Sequence, residues 1–252
     1  IGEEVDYSKS PAIFKAIFES IGRTGYFDVA SVNGLSLRSS LNQLILEGKR
    51  GFSVTIPYKQ SVMASLDDID PVAQKVGAVN CIAVSEGNLL GFNTDCYGFS
   101  YPFLSHGRKS IGETALVVGT GGAARAVAYS LYSDFGIRRI TLLGRDAQRA
   151  ESCRQVLRQN LDRLQVSLLQ VGSDGSSPLD RFDIVVNCTP AGGWRQPEIS
   201  PFHGEIPCAA GGIYYDINYN ENNRLIVQAG RQGLSALGGS IMLVAQAIKS
   251  FD

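Results

Sequence analysis

The residues that could do chemistry fall into a glycine-rich turn, an arginine pair and a lone lysine. The turn is Gly119-Thr-Gly-Gly122, which follows the apolar run Ala115-Leu-Val-Val118. Small residues come next, and Val127 and Leu131 then carry helical apolar spacing. Glycines let the backbone turn sharply and let a phosphate approach a helix N-terminus, where free N–H groups and the dipole favour an anion. With Ala124 in the last place, the stretch fits the Gly-x-Gly-x-x-Gly dinucleotide fingerprint. A glycine turn between a core strand and a core helix would also explain it, but a second strand, Arg139-Ile-Thr-Leu-Leu143, supplies the βαβ context. That strand leads to Arg145 and Arg149, whose guanidiniums could clamp a ribose 2′-phosphate from both sides. Asp146 would repel that phosphate, or else it caps the helix that follows, and the cap is the favoured reading; NADP is therefore expected, with NAD possible. The lysine is Lys59, just beyond a β-rich run stopped by Pro57, where ligands of open α/β sheets sit. Hydride transfer at a carbonyl needs a proton donor and acceptor beside the oxygen. The chain has 2 histidines; both His106 and His203 read as surface residues. Lys59, positioned and tuned by an aspartate, is then the best candidate, although a single lysine is most often a solvated charge.

Other polar residues stand where apolar ones would be ordinary. Asn80 interrupts the run 77–84, either as a satisfied backbone partner or as a ligand group. Asp95 ends the run 89–95, either as a helix N-cap or as an acid in the cleft. Ser8 and Ser10 precede a helix in which Ser10 reads as N-cap and Pro11 as the first helical residue. The pair of hydroxyls could also bind a carboxylate. Gln246 lies among apolar neighbours and either faces solvent or reaches a ligand. Thr189, in Asn187-Cys-Thr-Pro-Ala-Gly192, belongs to a loop over the cofactor crevice.

The elements that must position these groups follow from periodicity. Ile1-Gly2 reads as the tail of a strand whose start lies upstream. A helix follows Pro11, a strand spans 26–32, a helix 35–47 and a short strand 51–57. A helix or helix–turn–helix covers 63–76, broken near Pro71. Strands 77–84 and 89–95 form a hairpin through residues 85–88, and a connecting helix covers 97–106. Beyond Thr114, strands 114–119, 139–144, 165–170, 182–187 and 212–217 alternate with helices 121–134 and 146–160, and helices 222–232 and 239–251 close the chain. The natural solution is a doubly wound parallel sheet.

A net charge of −1 gives no electrostatic footprint for nucleic acid or an anionic membrane. No apolar run is long enough to span a bilayer, and Glu3, Glu4 and Asp6 do not resemble the start of a secretory signal. The 5 cysteines are scattered without a Cys-x-x-Cys pair, which suits a reducing cytoplasm and excludes a disulfide scaffold or zinc site. No metal is expected.

Seven stretches in order resemble the shikimate dehydrogenases: Ser8-Lys-Ser-Pro11, Ser53-Val-Thr-Ile-Pro-Tyr-Lys59, Gly77-Ala-Val-Asn80, Gly91-Phe-Asn-Thr-Asp95, Gly119-Thr-Gly-Gly-Ala-Ala-Arg-Ala126, Asn187-Cys-Thr-Pro-Ala-Gly192 and Met242-Leu-Val-Ala-Gln246. The resemblance implies an α/β substrate domain over 1–97, completed by 238–252, and a Rossmann NADP domain over 98–237, with the active-site cleft between them. It implies reversible reduction of 3-dehydroshikimate to shikimate, with Lys59 and Asp95 as the catalytic pair. Ser8 and Ser10 would hold the substrate carboxylate with Tyr219 near it, and Thr55, Asn80, Asp95 and Gln246 would bond the ring hydroxyls. Gly119, Gly121, Gly122, Ala123, Arg145, Arg149, Thr189, Gly239 and Met242 would bind the cofactor. Departures from the family pattern include Tyr7, Phe14, Cys96, Gly144, Glu221, Arg224 and Ile241. A quinate/shikimate or aminoshikimate dehydrogenase using NAD, or a metabolite sensor without catalysis, are the other readings. The enzyme would act in the cytoplasm as a monomer or homodimer.

Overall fold

Strand pairing divides the chain between two sheets. The computed structural model describes residues 1–252 apart from 4, 6, 7, 33–35, 171–179, 221 and 252, so Tyr7, Glu221 and the start of the expected helix 35–47 lie outside the described residues. The order is α1 (Ser10–Ser20), α2 (Leu37–Leu46), β1 (Gly51–Ser53), a 3-10 turn (Ser61–Ser65), β2 (Asp68–Ile69), α3 (Pro71–Val76), β3 (Cys81–Ser85), β4 (Asn88–Phe92) and α4 (Asp95–Leu104). Then come β5 (Thr114–Val118), α5 (Gly122–Ser133), β6 (Arg139–Gly144), α6 (Ala147–Asn160), β7 (Gln165–Gln170), β8 (Phe182–Asn187), β9 (Cys208–Asp216), α7 (Arg224–Arg231), β10 (Ser235–Gly238) and α8 (Ser240–Lys249).

The first sheet runs β1-β3-β4-β2, with β3 and β4 an antiparallel hairpin. Glu86 and Gly87 turn it with φ of 50° and 83°, and two left-handed residues in succession match the twist of the flanking strands. Phe52, Ile82 and Leu89 point to one face, where Leu41 and Val62 cover them. The second sheet is wholly parallel, in the order β10-β9-β8-β5-β6-β7. Its central strands are buried on both faces, which is why β5 and β8 read as near-continuous apolar runs. Chain order reverses between β5 and β8, so the loops leaving these strands part and open a crevice at their carboxyl ends. The α4 helix carries the chain from the first sheet to the second and packs on α5 and α8. Ser100 donates to Asp134 at 2.5 Å and Ser130 to the Cys96 carbonyl at 3.1 Å, which ties α4 to α5.

Several local expectations are corrected. Residues 26–32 form no continuous strand: a single bridge joins Ser31 to Gly2, Tyr26 is exposed, and Phe27 stacks on Phe14 at 4.3 Å. The strand at 51–57 stops at Ser53, and the hairpin turn is tighter than residues 85–88 implied. Between the 3-10 turn and α3, where helix was expected, β2 pairs with the β4 edge. Asp67 and Asp70 donate their N–H groups to Leu89 and Gly91 at 2.9 Å each, and this pairing overrides the helical periodicity. The β10 strand was not expected, because four residues between glycines carry no legible period. Ser10 is not an N-cap: it is the first residue of α1, and Ser8 accepts its N–H at 3.2 Å. Asp95 is not at a strand end but opens α4, after Thr94.

Candidate active site

The loop after β1 and the start of α4 place Lys59 and Asp95 together, with Lys59 Nζ donating to Asp95 Oδ2 at 2.5 Å. Their side chains are 16% and 7% exposed. Asp95 sits in the first turn of α4, where the helix dipole favours its negative charge. Its other oxygen, Oδ1, accepts from Asn80 Nδ2 at 2.9 Å, so the carboxylate is held from two sides. Asn80 is held in turn: its Oδ1 accepts the Thr94 N–H at 2.7 Å. Gln246, on α8, presents Oε1 3.3 Å from Asn80 Nδ2 and 3.4 Å from Thr94 Oγ1, while its Nε2 donates to the Leu243 carbonyl at 2.8 Å. Three distant segments thus converge on one buried polar network. Thr94 is a member that sequence reading missed; its place between Asn93 and Asp95 was the available signal.

Ser8, at the entry to α1, and Ser10 and Thr55 are half-buried, as is Tyr219 beyond β9. Thr55 is fixed through its backbone, its carbonyl accepting the Tyr58 N–H at 2.9 Å.

The nucleotide side is built at the switch point of the parallel sheet. Gly119 leaves β5 with φ 112° and donates its N–H to the Leu143 carbonyl at 2.8 Å. A Cβ there would meet Thr189 Cγ2 at 3.2 Å, so glycine lets the loops after β5 and β8 touch. Thr189 is anchored by donating its N–H and Oγ1 to Asn187 Oδ1 at 3.1 and 2.7 Å. Gly121, Gly122 and Ala123 form the N-terminus of α5, and a Cβ on Gly121 would meet no atom within 4 Å. The donors of a helix N-terminus therefore face open space, which fits a dinucleotide phosphate. Arg145 and Arg149 are exposed beyond β6, and Asp146 is the N-cap of α6, accepting the Arg149 N–H at 2.9 Å. Gly239 packs so closely under Ile217 that no side chain fits. Met242 is 6% exposed and packs in the same core cluster as Phe99 and Phe103, which gives it a packing role beyond the one the sequence implied. Ile241, one residue earlier, is exposed.

Asp216, wholly buried at the end of β9, accepts from Tyr214 Oη at 2.9 Å and Asn187 Nδ2 at 3.1 Å on Oδ2, and from Asn218 Nδ2 at 2.8 Å on Oδ1. Asn218 also donates to the Thr189 carbonyl at 2.9 Å, so this carboxylate organises the loop over the crevice. Burial, and then the Asp216 charge, push the Cys188 thiol well above its ordinary value. Cys81 is pushed to about 11, by burial first and then by Asp95. Both are neutral thiols at physiological pH rather than nucleophiles. Among the described residues, no group of three or more His, Cys, Asp or Glu could hold a metal, and no helix is long and apolar enough to cross a membrane.

The model of the shikimate dehydrogenase substrate binding domain matches residues 1–82. A shikimate dehydrogenase (NADP(+)) of Symbiobacterium thermophilum is 36% identical over 248 residues, covering 98% of this chain and 84% of its own length. Among solved structures, shikimate 5-dehydrogenase of Thermus thermophilus in complex with NADP(H) and shikimate is 30% identical at a TM-score of 0.82, over 99% of this chain and 89% of that one. The quinate dehydrogenase of Corynebacterium glutamicum in complex with NAD is 28% identical at a TM-score of 0.85, over 99% and 90%.

Proposed function

The chain belongs to the shikimate dehydrogenase family, and we propose that it is an NADP-dependent oxidoreductase that interconverts 3-dehydroshikimate and shikimate. The observation that carries this reading is the hydrogen-bonded pair of Lys59 and Asp95 set beside the N-terminus of α5. Residues 1–97 with 238–252 form the substrate domain and 98–237 the nucleotide domain. When bound, the nicotinamide supplies or accepts the hydride. Lys59 Nζ gives a proton to the oxygen of the ketone as it is reduced, and takes it back from the alcohol in the other direction. Asp95 holds the nitrogen through Oδ2, and Asn80 holds Asp95, so the proton donor is set before substrate arrives. Ser8, Ser10 and Tyr219 bind the substrate carboxylate, and Thr55, Asn80 and Gln246 its hydroxyls. A small polyhydroxy acid asks for this mixture of neutral donors and a single charged pair. The α5 N-terminus binds the pyrophosphate, Thr189 and Gly239 line the nicotinamide side, and Arg145 and Arg149 bind the 2′-phosphate. Asp146 is committed to capping α6, which favours NADP over NAD. The protein works in the cytoplasm as a monomer or homodimer.

The test is a rate assay crossing shikimate and quinate with NADP+ and NAD+. Shikimate with NADP+ is expected to be the fastest pairing. A faster reaction of quinate with NAD+ would make the chain a quinate dehydrogenase, and no rate with any pairing would leave a metabolite-binding protein without catalysis.

A further inference from the structure

Two adjacent glycines at the start of α5 face different surroundings. Gly121 borders open space, but a Cβ on Gly122 would lie 2.9 Å from Lys59 Cβ, 3.3 Å from Lys59 Cδ and 3.2 Å from Ala78 Cβ. Carbon atoms prefer about 3.5–4.0 Å, and Lys59 Cβ is fixed by its own backbone. The lysine stem therefore occupies the room that glycine leaves. One turn further, Arg125 is 6% exposed and donates from Nη1 to the Gly77 carbonyl at 3.2 Å. Its Nε has no hydrogen-bond partner, and among the described residues no carboxylate pairs with it. A buried guanidinium without an ion pair is costly, and what it holds is the left-handed residue that ends α3. Gly77 leads straight into the segment against the lysine. The Ala78 carbonyl accepts from Asn93 Nδ2 at 2.8 Å, and the Val79 N–H donates to the Lys59 carbonyl at 2.7 Å. Gly122 thus touches Lys59 directly, and Arg125 reaches it through Gly77, Ala78 and Val79.

We propose that Gly122 and Arg125 are positioning residues for Lys59: the first turns of α5, besides receiving the cofactor phosphate, are the surface that sets the lysine against Asp95. This holds only if Lys59 is the proton-transfer group, as proposed above. Steady-state kinetics and calorimetric NADP+ binding on full-chain variants test it. Gly122→Ala is expected to lower kcat about 10²-fold, the loss typical of a misplaced catalytic group, with NADP+ affinity changed less than about threefold. Arg125→Met, which removes the donor to the Gly77 carbonyl, should lower kcat about tenfold with NADP+ affinity changed less than about threefold. Arg125→Lys, which can still donate to the Gly77 carbonyl, should recover part of that kcat. If Gly122→Ala raises the NADP+ KM and spares kcat, or if Arg125→Met keeps full kcat, the proposal fails. Should Gly122→Ala not fold, the two Arg125 variants decide. Full activity in Lys59→Ala overturns the acid–base reading itself, whereas an inactive Lys59→Ala beside a fully active Gly122→Ala overturns only the positioning.

Discussion

Lys59 and Asp95 sit inside a network of buried amides and hydroxyls, whereas Arg145 and Arg149 stand in solvent beyond β6, the Arg149 side chain 82% exposed. The two ends of the crevice are therefore held differently. At the chemical end each polar atom is fixed by another: Asn80 by Thr94, Asp95 by Asn80, Lys59 by Asp95. At the proposed 2′-phosphate end the backbone is pinned by the Asp146 cap, and among the described residues the only side-chain contact shown for the exposed arginines is a 3.7 Å ion pair of Arg149 Nε with Asp146 Oδ2 in solvent. The difference fits the role proposed for each end. A proton relay needs a fixed geometry before the reaction begins, while a charge clamp gains its energy from the ligand it closes on.

Substitutions at the two ends should then separate kcat from KM. The largest effect is expected at Lys59: Lys59→Ala should cut kcat by about 10²–10⁴ while shikimate still binds, measured by single-turnover rates and calorimetry. Next comes Asn80→Ala. It leaves Asp95 Oδ1 and the Thr94 N–H without their partner, so kcat should fall, by less than for the lysine, and stability should drop by about 1–3 kcal/mol in urea unfolding. At the other end, Arg145→Ala should raise the NADP+ KM about 10- to 100-fold, the loss of one charge-assisted contact, with kcat and the NAD+ rate unchanged. A fall in kcat for Arg145→Ala would break the contrast between the two ends.

How much of this was legible in the sequence differs between the same two ends. The parallel sheet and its glycine turn were readable, because buried parallel strands are continuous apolar runs and the turn needs residues without a Cβ. Asn80, Asp95 and Gln246 could be singled out as polar residues in apolar surroundings, and the family resemblance paired Lys59 with Asp95, but the contact with Gln246 could not be read: 166 positions separate Asn80 from Gln246, and only the packing of α4 and α8 brings them together. The β2 and β10 strands were unreadable because each is defined by the edge it pairs with and not by its own pattern. The roles of Gly122 and Arg125 were hidden for a related reason. In sequence they belong to the phosphate motif, and only the fold shows that their neighbours are Lys59 and Gly77.

A last carboxylate sharpens the comparison from outside the cleft. Asp183, at the opposite end of β8, accepts the Glu113 and Thr114 N–H groups at 2.8 and 2.9 Å and the Thr114 hydroxyl at 2.9 Å. The Glu113 N–H, followed by the Thr114 donors, holds its carboxyl below the usual carboxylate range. Because the folded value lies below the unfolded one, its contribution to stability is complete above about pH 4 and is lost as pH falls through the folded value. Asp183→Asn should therefore lower the urea midpoint at pH 7, flatten its decline below about pH 4, and leave kcat unchanged. Asp95 is as firmly bonded, yet its substitution should act first on kcat. If Asp183→Asn lowered kcat as well, burial and hydrogen bonding alone would not distinguish a carboxylate that positions a proton donor from one that joins two strands.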